Sequence, residues 1–98
     1  MNKYKALVRG QNFLLNNNGK VGRFGFYATR FVDAGSEADA EEKAIATLRD
    51  DPALRDAVLN EKSDPPIMFV EDISQLDSFD GLNLPGTGLS FYSEREPG

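Results

Sequence analysis

The chain has 98 residues, of which 40% are hydrophobic and 28% charged, and its formal net charge is −5 at pH 7. This length allows one domain, and this composition is ordinary for a globular protein in water. Because the sequence contains no cysteine and no histidine, it excludes disulfides, cysteine nucleophiles, serine–histidine catalysis and zinc held by cysteine or histidine.

The first third of the chain is typical of a β-hairpin. Residues 4–15 and 21–32 are rich in β-branched and aromatic residues, which favour strands. Between them, Asn18-Gly19 has the residues that a two-residue type I′ turn prefers. Strands of about twelve residues are longer than average, so we expect a β-bulge near Gly10 or Gly25.

A helical segment is expected over residues 36–60. Ser36 can cap the first helix, and Asp50-Asp51-Pro52 ends it because proline disfavours helix at the preceding residue. Pro52 then suits the start of a second, short helix capped by Asp51, with Leu54, Ala57, Val58 and Leu59 inside it. The first helix has one narrow apolar stripe, formed by Ala38, Ala44, Ile45 and Leu48.

The last part of the chain, residues 66–94, predicts two strands and a loop. Residues 67–70 form a short apolar strand and residues 89–93 the last strand, whereas residues 73–80 suit either a helical turn or a loop. Residues 95–98 are expected to be a frayed tail.

These elements predict an α+β fold in the order β-β-α-(short α)-β-β. The sheet is expected to be four-stranded and mostly antiparallel, with the helices on one face. Residues 1–98 form a single domain in this prediction, in which residues 1–33 make a basic β-hairpin.

The predicted turn also predicts which hairpin residues share a face. With Asn18-Gly19 at the tip, residues whose numbers add up to 37 lie opposite each other. One face then suits packing against the helix; its residues are Tyr4, Ala6, Val8, Tyr27 and Phe31. The other face carries aromatic and basic residues that one helix layer does not cover: Phe13, Phe24, Phe26, Arg9 and Arg30. A bulge would shift the register by one residue and exchange the faces.

Three kinds of cover are open for this second face. The C-terminal segment could fold across it, a second copy of the chain could pack on it, or a ligand or nucleic acid could bind there. The residues that the C-terminal segment would use are Leu76, Phe79, Leu82 and Leu84. Our expectation is a non-catalytic module that binds itself or another protein. The contact patch is then the second face, where Phe13, Phe24 and Phe26 supply the area that becomes buried and the surrounding Arg9 and Arg30 orient the partner.

The alternative function is binding of single-stranded nucleic acid or an anionic small ligand on the sheet face. Arg23-Phe24-Gly25-Phe26 resembles the aromatic strand motif of RRM and cold-shock domains. The resemblance implies that bases stack on Phe24 and Phe26 and that flanking basic residues meet phosphate.

A cofactor-free enzyme is the third hypothesis, and the sequence assigns no catalytic residue. Glu71 and Asp72 are adjacent carboxylates, but neighbours on a strand point to opposite faces, so we expect them not to share a substrate. Residues 77–83 suggest a calcium loop, yet Leu76 stands where such a loop needs its first oxygen ligand. We therefore expect no metal and no cofactor.

We also expect a cytoplasmic protein that does not enter a membrane. Arg9 and Gln11 interrupt the apolar residues near the start of the chain, so no signal-peptide core forms there. No window approaches the roughly 18 apolar residues of a membrane-spanning helix.

Charge is divided unevenly along the chain. Residues 1–32 hold six basic and no acidic side chains, whereas residues 33–98 hold five basic and all sixteen acidic ones. The hairpin alone is therefore distinctly basic. The two parts could neutralise each other within one fold or across a dimer.

Overall fold

A computed structural model describes residues 1–17 and 19–94 of the chain. Its elements are β1 (Asn2–Asn17), β2 (Lys20–Ala34), α1 (Glu37–Arg49), α2 (Pro52–Arg55), β3 (Ile67–Leu76) and β4 (Ser90–Ser93). The strands form one sheet in the order β3-β1-β2-β4, and all neighbouring strands are antiparallel. The predicted α+β class and the four-stranded antiparallel sheet are confirmed.

The hairpin of β1 and β2 has the predicted two-residue connection. Asn17 pairs with Lys20, and Gly19 has a φ of 88°, in the region that favours glycine. Asn18, the other residue of the predicted turn, lies outside the described residues.

A bulge interrupts β1 next to Gly10, where the sequence predicted one. Phe13 faces Phe24 as expected, but the next pair is Gly10 with Phe26, so that two residues of β1 lie opposite one of β2. Beyond the bulge, each residue of β1 faces one position earlier on β2 than the predicted register. Arg9 faces Tyr27 instead of Ala28, for example. The uninterrupted register was therefore wrong for most of the hairpin.

Helix α1 follows the predicted cap. The Ser36 side chain accepts a hydrogen bond of 3.2 Å from the Asp39 backbone N–H. The helix buries Ala40, Ala44 and Leu48, whereas Ala38, which the sequence placed in the stripe, is exposed. The following helix, α2, is a single turn and stops short of residues 57–59, which the sequence had included.

The C-terminal half pairs with both edges of the hairpin. Strand β3 pairs with β1 and continues to Leu76, so residues 73–76 are strand. Residues 77–89 then cross to the other edge, where β4 pairs with β2. The frayed tail expected at residues 95–98 lies outside the described residues.

The hydrophobic core lies between α1, α2 and one face of the sheet. Its largest fully buried side chains are Phe26, Leu48 and Val8. On this face the ring of Phe26 lies directly over Gly10, where a Cβ atom would be 2.0 Å from the ring carbon Cε2. In the described part of the chain, no helix is both long and apolar enough to cross a membrane.

Candidate functional site: the open face of the sheet

Among residues 1–17 and 19–94, no helix packs on the sheet face opposite α1, and we call this face the open face. The strand alternation places these side chains there: Lys5, Leu7 and Arg9 of β1, Tyr27, Thr29 and Phe31 of β2, Phe69 and Asp72 of β3, and Tyr92 of β4. None of them is buried, although the alternate residues of β1 and β2 between them form the core. The open face is therefore an aromatic and charged surface.

The five residues predicted as a contact patch do not share a surface. Phe13, Phe26 and Arg30 are 2%, 0% and 4% exposed and lie on the helix-covered face. Phe24 is half-buried on that same face, and only Arg9 belongs to the open face. The grouping was wrong because the bulge moves Arg9 to the opposite face from the phenylalanines.

The same bulge explains the residues that the sequence assigned to the helix. Tyr4, Ala6 and Val8 are buried as expected, but Tyr27 and Phe31 lie on the open face. The signal that could have found them was in the sequence, because a bulge near Gly10 was expected. What the sequence left undecided was whether the bulge would form on β1 or β2.

Arg9 lies between two tyrosines on the open face. Its guanidinium carbon Cζ is 5.3 Å from the ring centroid of Tyr27 and 5.9 Å from that of Tyr92. Nε donates a hydrogen bond of 3.1 Å to the Tyr92 hydroxyl, and Nη1 lies 3.4 Å from Glu71 Oε1. The Tyr92 hydrogen bond is the largest cause that raises the pKa of Arg9, so this centre stays cationic.

Gly25 makes room for this arrangement. A Cβ atom at Gly25 would lie 2.3 Å from the Tyr92 ring, so only glycine lets Tyr92 lie flat across β2. The ring centroids of Tyr92 and Tyr27 are then 5.7 Å apart. Gly25, the glycine of the aromatic strand motif, therefore makes space for Tyr92, which lies 67 positions later in the sequence.

The opposite end of the open face is partly covered by the connection between β3 and β4. Phe79 lies with its ring centroid 6.2 Å from that of Phe31, and Lys3 Nζ is 5.7 Å from the Phe79 centroid. Leu82 and Leu84, which the sequence offered as further cover, are 39% and 56% exposed. Leu76, which lies opposite Lys3 on β3, and Phe79 are thus the residues through which the segment reaches this face, and the described residues leave the centre open.

Two charged residues of opposite sign lie next to Leu7 on the open face. Lys5 is two residues from Leu7 on β1, and Asp72 lies opposite Leu7 on β3. Both are exposed, and neither has an ion pair or a side-chain hydrogen bond within the described residues. These charges are available to a partner.

Glu71 and Asp72 both reach the open face, contrary to expectation. Strand β3 has a register shift that places Asp72 opposite Leu7 and Val70 opposite Val8. The extra residue, Glu71, turns its carboxylate to Arg9. The alternation rule failed here because it holds only for an uninterrupted ladder.

A polar network at the β1 bulge has a different role. Asn12 donates from Nδ2 to Asp64 Oδ1 at 2.9 Å, and Arg23 Nη1 lies 2.8 Å from Asp64 Oδ2. The Asn12 hydrogen bond and then the Arg23 contact hold the pKa of Asp64 below its ordinary value. Asn60 Nδ2 also donates to the backbone oxygen of Asn12 at 2.8 Å. The network fixes the loop before β3 to the bulge.

Residues 1–17 and 19–94 contain no group of three or more acidic side chains placed to hold a metal ion. Comparison of the chain with protein-family models, curated proteins and solved structures finds no match. The function is therefore inferred from the side chains of the open face.

The geometry also bears on the resemblance to RRM and cold-shock domains. That resemblance implied two base-stacking phenylalanines on an accessible strand. Phe26 is instead fully buried, with its ring centroid 5.2 Å from that of Phe13. The implied stacking on Phe26 is wrong, because the ring is part of the core under the helices.

Proposed function

We propose that this protein is a non-catalytic, cytoplasmic interaction module that forms a homodimer through its open face. The observation that carries the proposal is the aromatic centre of that face, where Arg9 is held between Tyr27 and Tyr92 and no other described part of the chain forms a layer over it. Tyrosine, phenylalanine and arginine are the residues enriched at the energetic centres of protein interfaces. An antiparallel sheet with helices on one side needs only that one apolar face in order to fold, so folding does not require aromatic residues on the open face.

The charges around Leu7 favour a second copy of the chain as the partner. A two-fold dimer brings the same patch of each subunit together, so that each residue meets a residue of the other copy reciprocally. Lys5 and Asp72 have opposite charges and both lie next to Leu7, Lys5 two residues away along β1 and Asp72 directly across on β3. With the two-fold axis near Leu7, Lys5 of each subunit can pair with Asp72 of the other.

Charge reversal tests this pairing. We expect Lys5→Glu and Asp72→Lys each to raise the dimer dissociation constant by about tenfold or more, because each places like charges together. The double variant exchanges the two charges and should restore association. Sedimentation equilibrium of the wild type and the three variants measures this directly.

Lys43→Glu is the matched control, because Lys43 is also exposed but lies on α1, on the other side of the sheet. It should leave the dissociation constant unchanged. A wild-type protein that remains monomeric at high micromolar concentration would overturn the proposal. Failure of the double variant to recover would overturn the pairing of Lys5 with Asp72.

Single-stranded nucleic acid is the second candidate for the same face, supported by the cation and aromatic rings around Arg9. Such binding should weaken steeply with added salt, because phosphate contacts release counterions. Glu71 and Asp72 on the same face oppose it by repelling phosphate. A titration with labelled oligonucleotide at low and high salt separates this candidate from the dimer.

A further inference from the structure

A cavity of about 300 Å³ lies on the helix-covered side of the sheet. It is formed where the end of α1 and the single turn α2 meet the sheet, and it is open to solvent. Most of the residues that line it are apolar. They come from β1, from α2 and the residues after it, and from the start of β3: Phe13, Leu54, Val58, Pro66 and Met68. Phe13 and Leu54 are each 2% exposed, so the cavity reaches the core. Its volume is at the lower end of the range for small-molecule sites.

Two arginines line the same cavity. Arg49 is the last residue of α1, and within the described part of the chain it has no ion pair and no side-chain hydrogen bond. Arg55 is the last residue of α2, and its ion-pair partner is its exposed neighbour Asp56, at 3.6 Å. Both cations are the last residues of their helices, and because the cavity lies at those helix ends, both arginines border its apolar walls.

A cavity with apolar walls and two arginines at its border favours one class of ligand. Burial of a hydrocarbon chain against the apolar walls is favourable in proportion to the area removed from water. A guanidinium presents parallel N–H donors that match the two oxygens of a carboxylate. A ligand that satisfies both parts has one anionic end and a short apolar body.

We propose that the cavity binds a monocarboxylate with a medium-length apolar chain. The chain lies against Phe13, Leu54 and Met68, and the carboxylate pairs with Arg49 and Arg55. This site does not depend on the proposed dimer, because it lies on the opposite side of the sheet from the open face.

Octanoate is the probe, and octanol is its neutral counterpart with the same chain length. Isothermal titration calorimetry should show saturable binding of one octanoate per chain, with octanol at least tenfold weaker. Arg49→Gln and Arg55→Gln should each weaken octanoate about 10- to 100-fold, which is the loss of a charge-assisted hydrogen bond. Val58→Phe should fill the cavity and abolish binding, while circular dichroism confirms that it folds.

Lys20→Gln is the matched charge control, because it also removes one positive charge but lies at the hairpin turn, outside the cavity. It should bind octanoate like the wild type, and so should Lys5→Glu on the open face. Absence of saturable octanoate binding would overturn the proposal. Equal affinity for octanol, or equal loss in Lys20→Gln and the arginine variants, would overturn recognition of the carboxylate by the arginines.

Discussion

At the scale of single residues, Arg30 stabilises the fold and does not form part of a binding surface. It is 4% exposed, and its Nη1 donates to the backbone oxygens of Thr29 and Thr87. Asp51 lies 3.6 Å from its Nη2. Burial is the main cause that lowers the pKa of Arg30. Arg30 therefore ties the connection before β4 to the edge of β2 and to the junction of α1 and α2, and it is not available to a partner.

Gly10 has no side chain, and this allows the Phe26 ring to pack directly against its backbone. The Phe26 ring occupies the space that a Cβ atom at Gly10 would fill, and Phe26 cannot move outward because it is fully buried. We expect Gly10→Ala to lower the free energy of unfolding by about 1–3 kcal/mol, which is typical of overpacking. Urea denaturation followed by circular dichroism measures the change.

Gly88→Ala is the control for this prediction, because a Cβ atom at Gly88 would meet nothing within 4 Å. Its free energy of unfolding should stay within about 0.5 kcal/mol of the wild type. If both alanine variants unfold at the same urea concentration, the close approach of Phe26 to Gly10 does not hold in solution.

At the scale of elements, the β1 bulge decides the architecture of the hairpin. Asn12 has a φ of 61°, in the left-handed region that asparagine tolerates better than most residues. Its side chain also bonds to Asp64 and to the backbone oxygen of Pro65. Asn12 therefore combines a backbone requirement with a side-chain requirement, and both keep the loop before β3 in place.

Two substitutions at Asn12 separate these requirements. Asn12→Gly loses the side-chain bonds but keeps the φ, whereas Asn12→Ala loses the bonds and adds about 1 kcal/mol of left-handed strain. We expect the alanine variant to be less stable than the glycine variant by that amount in urea denaturation. Asn16, in the same strand, does not have a positive φ, so there the order should reverse. Equal stability of the two Asn12 variants would contradict the role of backbone strain.

At the scale of the whole molecule, most of the basic residues of the hairpin form ion pairs within the fold. Ion pairs within the described residues join residues 1–32 to acidic residues that follow them, and they include Lys3–Asp33, Arg9–Glu71, Arg23–Asp64 and Arg30–Asp51. Of the two explanations for the charge division, pairing inside one fold accounts for these contacts. Lys5 and Lys20 are the two hairpin cations outside these pairs, and the proposed dimer uses Lys5 together with Asp72.

Dimer formation predicts that thermal stability depends on protein concentration. A partner that binds only the folded state stabilises it by mass action. The Tm of the wild type should therefore rise with concentration, by about 4–8 °C for each kcal/mol gained in a chain of this size. Lys5→Glu should show a flatter dependence, and differential scanning calorimetry over a hundredfold range compares the two. Parallel curves would indicate that association does not involve this face.

Local features of the fold were predictable because they depend on neighbouring residues. The Asn17–Lys20 closure of the hairpin, the Ser36 cap and the β-bulge next to Gly10 all follow from short stretches of sequence. The register was less predictable, because a single extra residue in β1 moves every β1 side chain on the far side of the bulge from the turn, residues 2–10, to the other face. The aromatic centre of the open face was missed for the same reason, and because Tyr92 reaches it from the far end of the chain.

The sequence by itself determined the α+β class, the order of the main elements, the basic hairpin and the exclusion of cysteine and histidine chemistry. These depend on composition and on local propensity. Only the tertiary structure decided that Phe13, Phe26 and Arg30 lie inside while Arg9 faces outward. It alone also showed the cavity beside Arg49. The physical reason is that strand side chains alternate with a period of two, so a face is assigned only when every bulge is placed.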